Sequence, residues 1–177
     1  RRADGLGFIP EDRLDRGLSA TMSIAENVAA TNYDAARLKR GGLVSRRLAE
    51  AFALRKIAEF DVRGARPALP VGWLSGGNMQ KVVIARELEK GPRILLVAQP
   101  TRGLDVGAAE FVHGQILKAA DAGCAVLLVS SELSEIFALS DRIAVMYRGR
   151  VMRVLIRAEA DEPTVGILMN GGRAEAA

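Results

Sequence analysis

The sequence predicts an α/β fold built on a parallel sheet. Three observations carry this. Strand-like and helix-like patterns alternate along the second half of the chain. The two longest apolar runs, Ile94–Ala98 and Ala125–Val129, are short and continuous, as strands buried in a parallel sheet are. The helical stretches between them place apolar residues four apart, as at Val112, Ile116 and Ala120.

The elements follow in order. Gly5–Pro10 reads as a short strand stopped by proline. Ser23 to about Phe60 is helical, with Ser23 and Glu26 spaced as a capping box. Gly41-Gly42 should break that stretch into two helices. Arg63–Gly72, with Pro67 and Pro70, is a loop. A helix starts after Ser75 and runs to about Lys90, closed by Gly91-Pro92. Its middle, Val82–Ala85, is apolar all round and so should be buried on most sides. A strand up to Val97, a helix from about Gly107 and the strand Ala125–Ser130 come next. Glu132–Leu139 is a short helix with Leu133, Ile136 and Phe137 on one face. Ile143–Tyr147 is a third strand, and Arg148-Gly149 turns the chain into Arg150–Leu155. The residues from Gly171 to Ala177 read as frayed.

The chain has 177 residues, 49% apolar and 26% charged, which suits one domain with a real core. Neither apolar run is long enough to cross a bilayer, and no signal pattern opens the chain. The first residue is Arg1, so the sequence reads as cut from something longer. A single cysteine, Cys124, rules out an internal disulfide, fits a reducing compartment and reads as an inert buried thiol. The formal charge is +4, but acids and bases are interspersed and aromatics are few. That argues for the solvated surface of a basic protein, not a nucleic-acid site.

Chemistry concentrates at Leu74-Ser-Gly-Gly-Asn-Met-Gln80. Glycines at a helix start let backbone N–H groups approach a ligand, and the helix end carries unsatisfied donors and partial positive charge. Such an end binds phosphate. Ser-Gly-Gly alone is equally an ordinary cap and turn. Here it lies shortly before a buried strand that ends in Gln99-Pro-Thr-Arg-Gly-Leu-Asp105.

At this point the chain resembles the ATP-binding cassette (ABC) ATPases. Leu74–Gln80 looks like the signature loop, Ile94–Gln99 like the Walker B strand and Thr101–Asp105 like the D-loop. Val126–Glu132 is similar to the switch strand, Asp141–Met146 to the strand after it, and Phe8–Arg13 to the segment holding the Q-loop. Pro10-Glu-Asp-Arg13, Asn78 in the signature, Pro100–Gly107 and Ser130–Leu133 resemble the second ATPase half of tandem ribose and galactose importers. Ala98-Gln99 before Pro-Thr, with Glu110–His113 after it, favours the nucleoside-importing branch.

The resemblance implies a RecA-like parallel sheet with a helical subdomain at about residues 19–90. The core would comprise 1–18 and 91–157, with a C-terminal tail at 158–177. The P-loop pattern Gly-x-x-x-x-Gly-Lys-Ser/Thr occurs nowhere in these residues. In the family its strand precedes Gly5–Pro10 and lies between the switch strand and the next one. Without it, two strand edges should be left unpaired, so the chain should close the gap, borrow a strand or be unstable alone.

Other departures lie within the motifs. The Walker B aspartate position is Ala98, whose methyl cannot hold magnesium. The catalytic glutamate position is Gln99, whose amide cannot accept a proton, removing a general-base contribution of about 10²–10⁴. The switch histidine position is Ser131, and the Q-loop glutamine position is Glu11. These are degenerate positions, and no catalytic residue is intact. The resemblance instead assigns ATP contacts in trans to Ser75, Gly76, Gly77, Asn78 and Gln80, with Gly103, Leu104 and Asp105 as D-loop. It implies ATP and Mg²⁺ in the full-length assembly, and neither bound by this chain alone.

The implied partners are the first ATPase half of the same polypeptide, transmembrane permease subunits and, indirectly, an extracytoplasmic solute-binding protein, at the cytoplasmic face of the bacterial membrane. Two rivals stand beside this: a soluble ABC ATPase of DNA repair or translation, against which Pro10–Arg13, Asn78 and the absence of long heptads speak, and, for the isolated fragment, a non-catalytic interaction module. His113, the sole histidine, has no ligand-spaced partners, so no metal site is expected. Trp73 suits packing or partner contact, and Ser131 suits a helix cap ahead of Glu132.

Overall fold

The computed structural model describes residues 5–172. By their contacts these divide after Val129 into two units.

The first unit holds a three-stranded parallel sheet of β1 (Leu6–Ile9), β4 (Ile94–Ala98) and β5 (Ala125–Val129), in the order β1-β4-β5. Helices α1 (Ile24–Ala29), α2 (Arg46–Glu59), α3 (Gly76–Leu88) and α4 (Val106–Asp121) accompany it. The α3 helix packs against β1, α1 and α4. Its apolar middle, Val82, Val83, Ile84 and Ala85, is at most 1% exposed, as its all-round pattern requires. Glu87, buried on α3, accepts the Phe8 amide at 3.2 Å and the Arg86 Nε–H at 2.9 Å, which joins the helix to β1.

Local signals set the ends. Ser23 caps α1, and Glu26 returns the bond by accepting the Ser23 amide at 2.8 Å, completing the capping box. The helical reading of 23–60 needs correction, however. The α1 helix stops at Ala29, a 3₁₀ turn covers Ala36–Leu38, and β2 (Lys39–Arg40) and β3 (Leu43–Val44) form a small hairpin before α2. Gly41 and Gly42, with φ of +59° and +84°, make its two-residue turn. A glycine pair marks a tight turn equally well between helices and between strands.

Two burial expectations also shift. Leu95 and Val97 are buried, but Ile94, Leu127 and Val129 are about half exposed, so the strands alternate and are not covered on both faces. On α4 the buried stripe is Ala108, Val112 and Ile116, one turn earlier than Val112–Ala120, and Ala120 is exposed. Cys124 is partly buried, and desolvation pushes its thiol up, against reactivity.

The second unit contains α5 (Leu133–Leu139), β6 (Arg142–Tyr147), β7 (Arg150–Ile156) and α6 (Glu162–Met169). Its core is Ile143, Val145, Leu155, Val165 and Leu168, and Leu133, Ile136 and Phe137 pack against it from the predicted face of α5. β6 pairs antiparallel with β7 through an Arg148-Gly149 turn, both residues with positive φ. It does not extend the parallel sheet as a third strand. Among the described residues β5 pairs only with β4.

The stretch read as a tail carries α6, capped by Asp161, whose carboxylate accepts the Thr164 amide at 2.8 Å. Pro at the first turn and an Asp cap were the overlooked helix signal. Gly171 and Gly172 close α6 by donating to Leu168 and Ile167 carbonyls, both at 3.0 Å. The rest of the expected frayed end, 173–177, lies outside the described residues. Among those described, no helix is long and apolar enough to cross a membrane.

Candidate functional site

The site grows from the start of α3. Ser75 is its N-cap, in extended conformation, and its hydroxyl accepts the Asn78 amide at 3.4 Å. The Asn78 side chain adds a second bond to the same oxygen, Nδ2 to Ser75 Oγ at 3.0 Å. Both acceptor positions are engaged, and the hydroxyl proton is the group left to donate outward. Asn78 Oδ1 accepts the Arg63 amide at 2.9 Å, tying the cap to the loop after α2. Asn78 thus holds the serine in place.

Ser75 is exposed, and Gly76, Gly77 and Asn78 are partly exposed, so these residues lie at one surface. Gln80 does not share it; it is 2% exposed, within the packed part of α3. Lys81, one residue on, donates to the Asp61 carbonyl at 2.7 Å and lies 4.6 Å from the Phe111 ring centre. It joins α3 to the turn after α2 and to α4. Desolvation pushes the Asp61 carboxyl up, but Arg63 and Lys81 outweigh it and hold it below the usual range.

The turn Thr101–Asp105 lies beside this surface. Asp105 caps α4, accepting the Ala108 amide at 2.9 Å. A Cβ placed on Gly77 would fall 2.8 Å from Ala108 Cβ, so glycine at 77 permits close approach of α3 to α4. Leu104 N–H bonds the Thr101 carbonyl at 3.0 Å, and Gly103, at φ +69°, completes the turn. Glu11 ion-pairs with Arg102 of this loop, and Arg13 Nη1 donates to the Arg102 carbonyl at 3.1 Å. Glu11 and Arg13 both lie in motif segments, but Arg102 and Arg13 were given no role on sequence grounds.

Ala98 and Gln99 end β4. Gln99 has φ +46°, the left-handed region, at a cost of about 1–2 kcal/mol for a non-glycine residue. Its amide bonds the Val129 carbonyl at 2.8 Å, and its carbonyl accepts the Arg102 amide at 3.2 Å. The strained residue starts the turn that runs through Leu104. Neither Ala98 nor Gln99 offers a carboxylate, and no cluster of three metal-ligating side chains exists among the described residues. A magnesium ion would thus find no carboxylate at the end of β4.

Ser131 belongs to the second unit, at the entry to α5. It does not cap that helix. Glu132 occupies the cap position, and its amide is taken by the Ser130 hydroxyl at 3.0 Å. Trp73 is 76% exposed, in a 3₁₀ turn ahead of Ser75, which favours partner contact over packing.

The fold is that of an ATP-binding cassette. A dimeric cassette solved in a post-hydrolysis state with ADP and Pi superposes with a TM-score of 0.71 at 25% identity, over 88% of this chain and 64% of that one. No family model matches the chain. Sequence relatives are closer. The nucleoside import ATP-binding protein NupA of Lactococcus lactis subsp. cremoris is 43% identical over 94% of this chain and 33% of its own length. The guanosine import ATP-binding protein NupO of Bacillus subtilis is 44% identical over the same shares. A ribose import ATP-binding protein, RbsA 2 of Streptomyces avermitilis, is 45% identical over 92% of this chain and 32% of itself. Over nearly its whole length the chain is similar to nucleoside and ribose import ATP-binding proteins. It spans about a third of their length.

Proposed function

We propose that this chain is part of the ATP-binding subunit of an ABC importer, and that its role is to complete an ATP site held mainly by another half. The reading rests on one observation above all. Ser75–Asn78 present a capped helix start at the surface, next to the D-loop, while the chain's own Walker B end is Ala98-Gln99. A helix start with a serine hydroxyl and close glycine backbone stabilises phosphate without needing a carboxylate or a metal ligand from the same chain.

In this reading Ser75, Gly76, Gly77 and Asn78 face the γ-phosphate held by the P-loop of the first ATPase half. Gln80, being buried, supports them from within the helix. Gly103, Leu104 and Asp105 line the same junction. Ala98, Gln99, Ser131 and Glu11 mark the chain's own side as unable to bind magnesium or orient water. Coupling to uptake of a simple sugar or nucleoside would then pass to permease subunits at the cytoplasmic face, with a solute-binding protein supplying the solute.

The test is Ser75→Arg in the full-length ATP-binding protein. The bulky cation blocks phosphate entry, so steady-state hydrolysis is lost. Nucleotide affinity of the other half stays within about threefold, because its own donors are untouched. Wild-type hydrolysis by Ser75→Arg refutes the reading. Copurification with nucleic acid and not with permease would favour a soluble repair or translation ATPase.

A further inference from the structure

We infer that Glu11 and Arg13 form a clamp on Arg102 that fixes the D-loop beside the signature loop, making both positioning residues for hydrolysis. The inference rests on the trans-site reading for its functional consequence, but not for its geometry. Two residues of one short segment hold one residue of another. The Glu11 carboxylate pairs with the Arg102 guanidinium, and Arg13 Nη1 donates to the Arg102 carbonyl at 3.1 Å. The segment that supplies them is itself fixed. The Asp12 carboxylate accepts the Leu14 and Asp15 amides, both at 2.9 Å, and the Leu18 amide returns to the Arg13 carbonyl at 2.7 Å.

The guanidinium of Arg13 also fills space beside the signature loop. Its Nη2 lies 2.9 Å from where a Cβ on Gly76 would sit and 3.8 Å from that on Gly103. Glycine at 76 therefore does more than open the backbone to phosphate: it admits the arginine. One side chain thus touches the signature loop and the D-loop together. The clamp also gives Glu11 a role of its own where the resemblance expects glutamine. A neutral amide would keep at most a hydrogen bond to Arg102 and lose the charge pairing.

Side-chain exposures of 50% and 71% for Glu11 and Arg102 mean that the pair adds little to global stability. Its effect is local, on the turn that runs from Gln99 through Leu104. The amides of Arg102 and Leu104, bonded to the Gln99 and Thr101 carbonyls, report that turn.

The experiment has two arms. In the 177-residue chain, Arg13→Ala should speed hydrogen exchange at Arg102 and Leu104 about tenfold, the scale of one lost charge-assisted hydrogen bond. Gly76→Ala should do the same by displacing the guanidinium, and the double variant should add nothing further. In the full-length protein, Arg13→Ala and Glu11→Arg should lower kcat with KM for ATP unchanged, and Glu11→Arg with Arg102→Glu should restore kcat. Unchanged exchange, additive exchange effects or failure of the charge swap overturns the clamp. So does faster exchange with unchanged kcat while Ser75→Arg is inactive. If Ser75→Arg hydrolyses normally, the trans-site reading falls instead, and the exchange arm still decides the geometric clamp.

Discussion

Gly77 and Ala108 meet where α3 and α4 cross: a Cβ on Gly77 would stand 2.8 Å from that of Ala108, closer than two carbons can approach. Gly77 is thus a packing position as well as part of the surface loop. Gly77→Ala should destabilise the chain by about 1–3 kcal/mol through overpacking. Ala108→Gly in the same chain should recover most of that loss. Urea denaturation of the two single variants and the double variant measures it, and additive losses would refute the contact.

Ser75→Ala removes the α3 cap while adding no bulk. Unfolding free energy should fall by about 1 kcal/mol. Asn78→Ala should lose a similar amount, because Asn78 holds both Ser75 Oγ and the Arg63 amide. The two losses should be less than additive, since one oxygen serves both. Full additivity by thermal or chemical denaturation would separate the cap from the side-chain pair.

Restoring carboxylates at Walker B, with Ala98→Asp and Gln99→Glu, should raise hydrolysis by the full-length protein less than about twofold. In this reading the ATP site held by the other half already does the chemistry, and Ser131 still stands where the resemblance expects the switch histidine. A large rise in steady-state turnover would show that the degenerate side had been misplaced.

The outer edge of β5 has no strand partner among the described residues, and Leu127 and Val129 beside it are 59% and 57% exposed. An open apolar edge recruits another strand. The 177-residue chain should self-associate at micromolar concentrations, and Leu127→Lys should weaken this at least severalfold. Sedimentation velocity on both proteins checks it; monomeric wild type at high concentration would refute it.

Acid should weaken the fold through its capping carboxylates. Amides of Asp15 and Leu14 hold the Asp12 carboxyl below its ordinary value, the Ser23 hydroxyl and amide do so for Glu26, and the Thr164 amide and hydroxyl for Asp161. In each case the folded pKa lies below the unfolded one. The stabilisation is therefore complete above the unfolded value, about 4, and is lost as pH falls through the folded value. Asp161→Asn keeps a cap but removes one titration, so its acid limb should be shallower. Stability that rises as pH drops from about 5 to 3 would contradict the sign.

The sequence by itself determined what acts over a few residues. The Ser23 capping box, the Ser75 cap, the buried middle of α3, the Arg148-Gly149 turn and the order of motifs were all legible, because caps, turns and periodicity arise from neighbours along the chain. The end of α1 and the β2–β3 hairpin are hidden where one local signal fits two structures, as Gly41-Gly42 does, whereas α6 carries its own signal in the Asp161 cap and Pro163. Tertiary structure alone decided the rest. Arg13 and Arg102 are 89 positions apart, and nothing in either motif says that one guanidinium spans both loops. The fit at Gly77 depends on Ala108 arriving from another helix. Strand partners, likewise, depend on which edges are present: β6 found β7, and β5 kept an open side. Contacts between distant segments depend on where whole elements pack, and a single sequence carries no direct record of that distance.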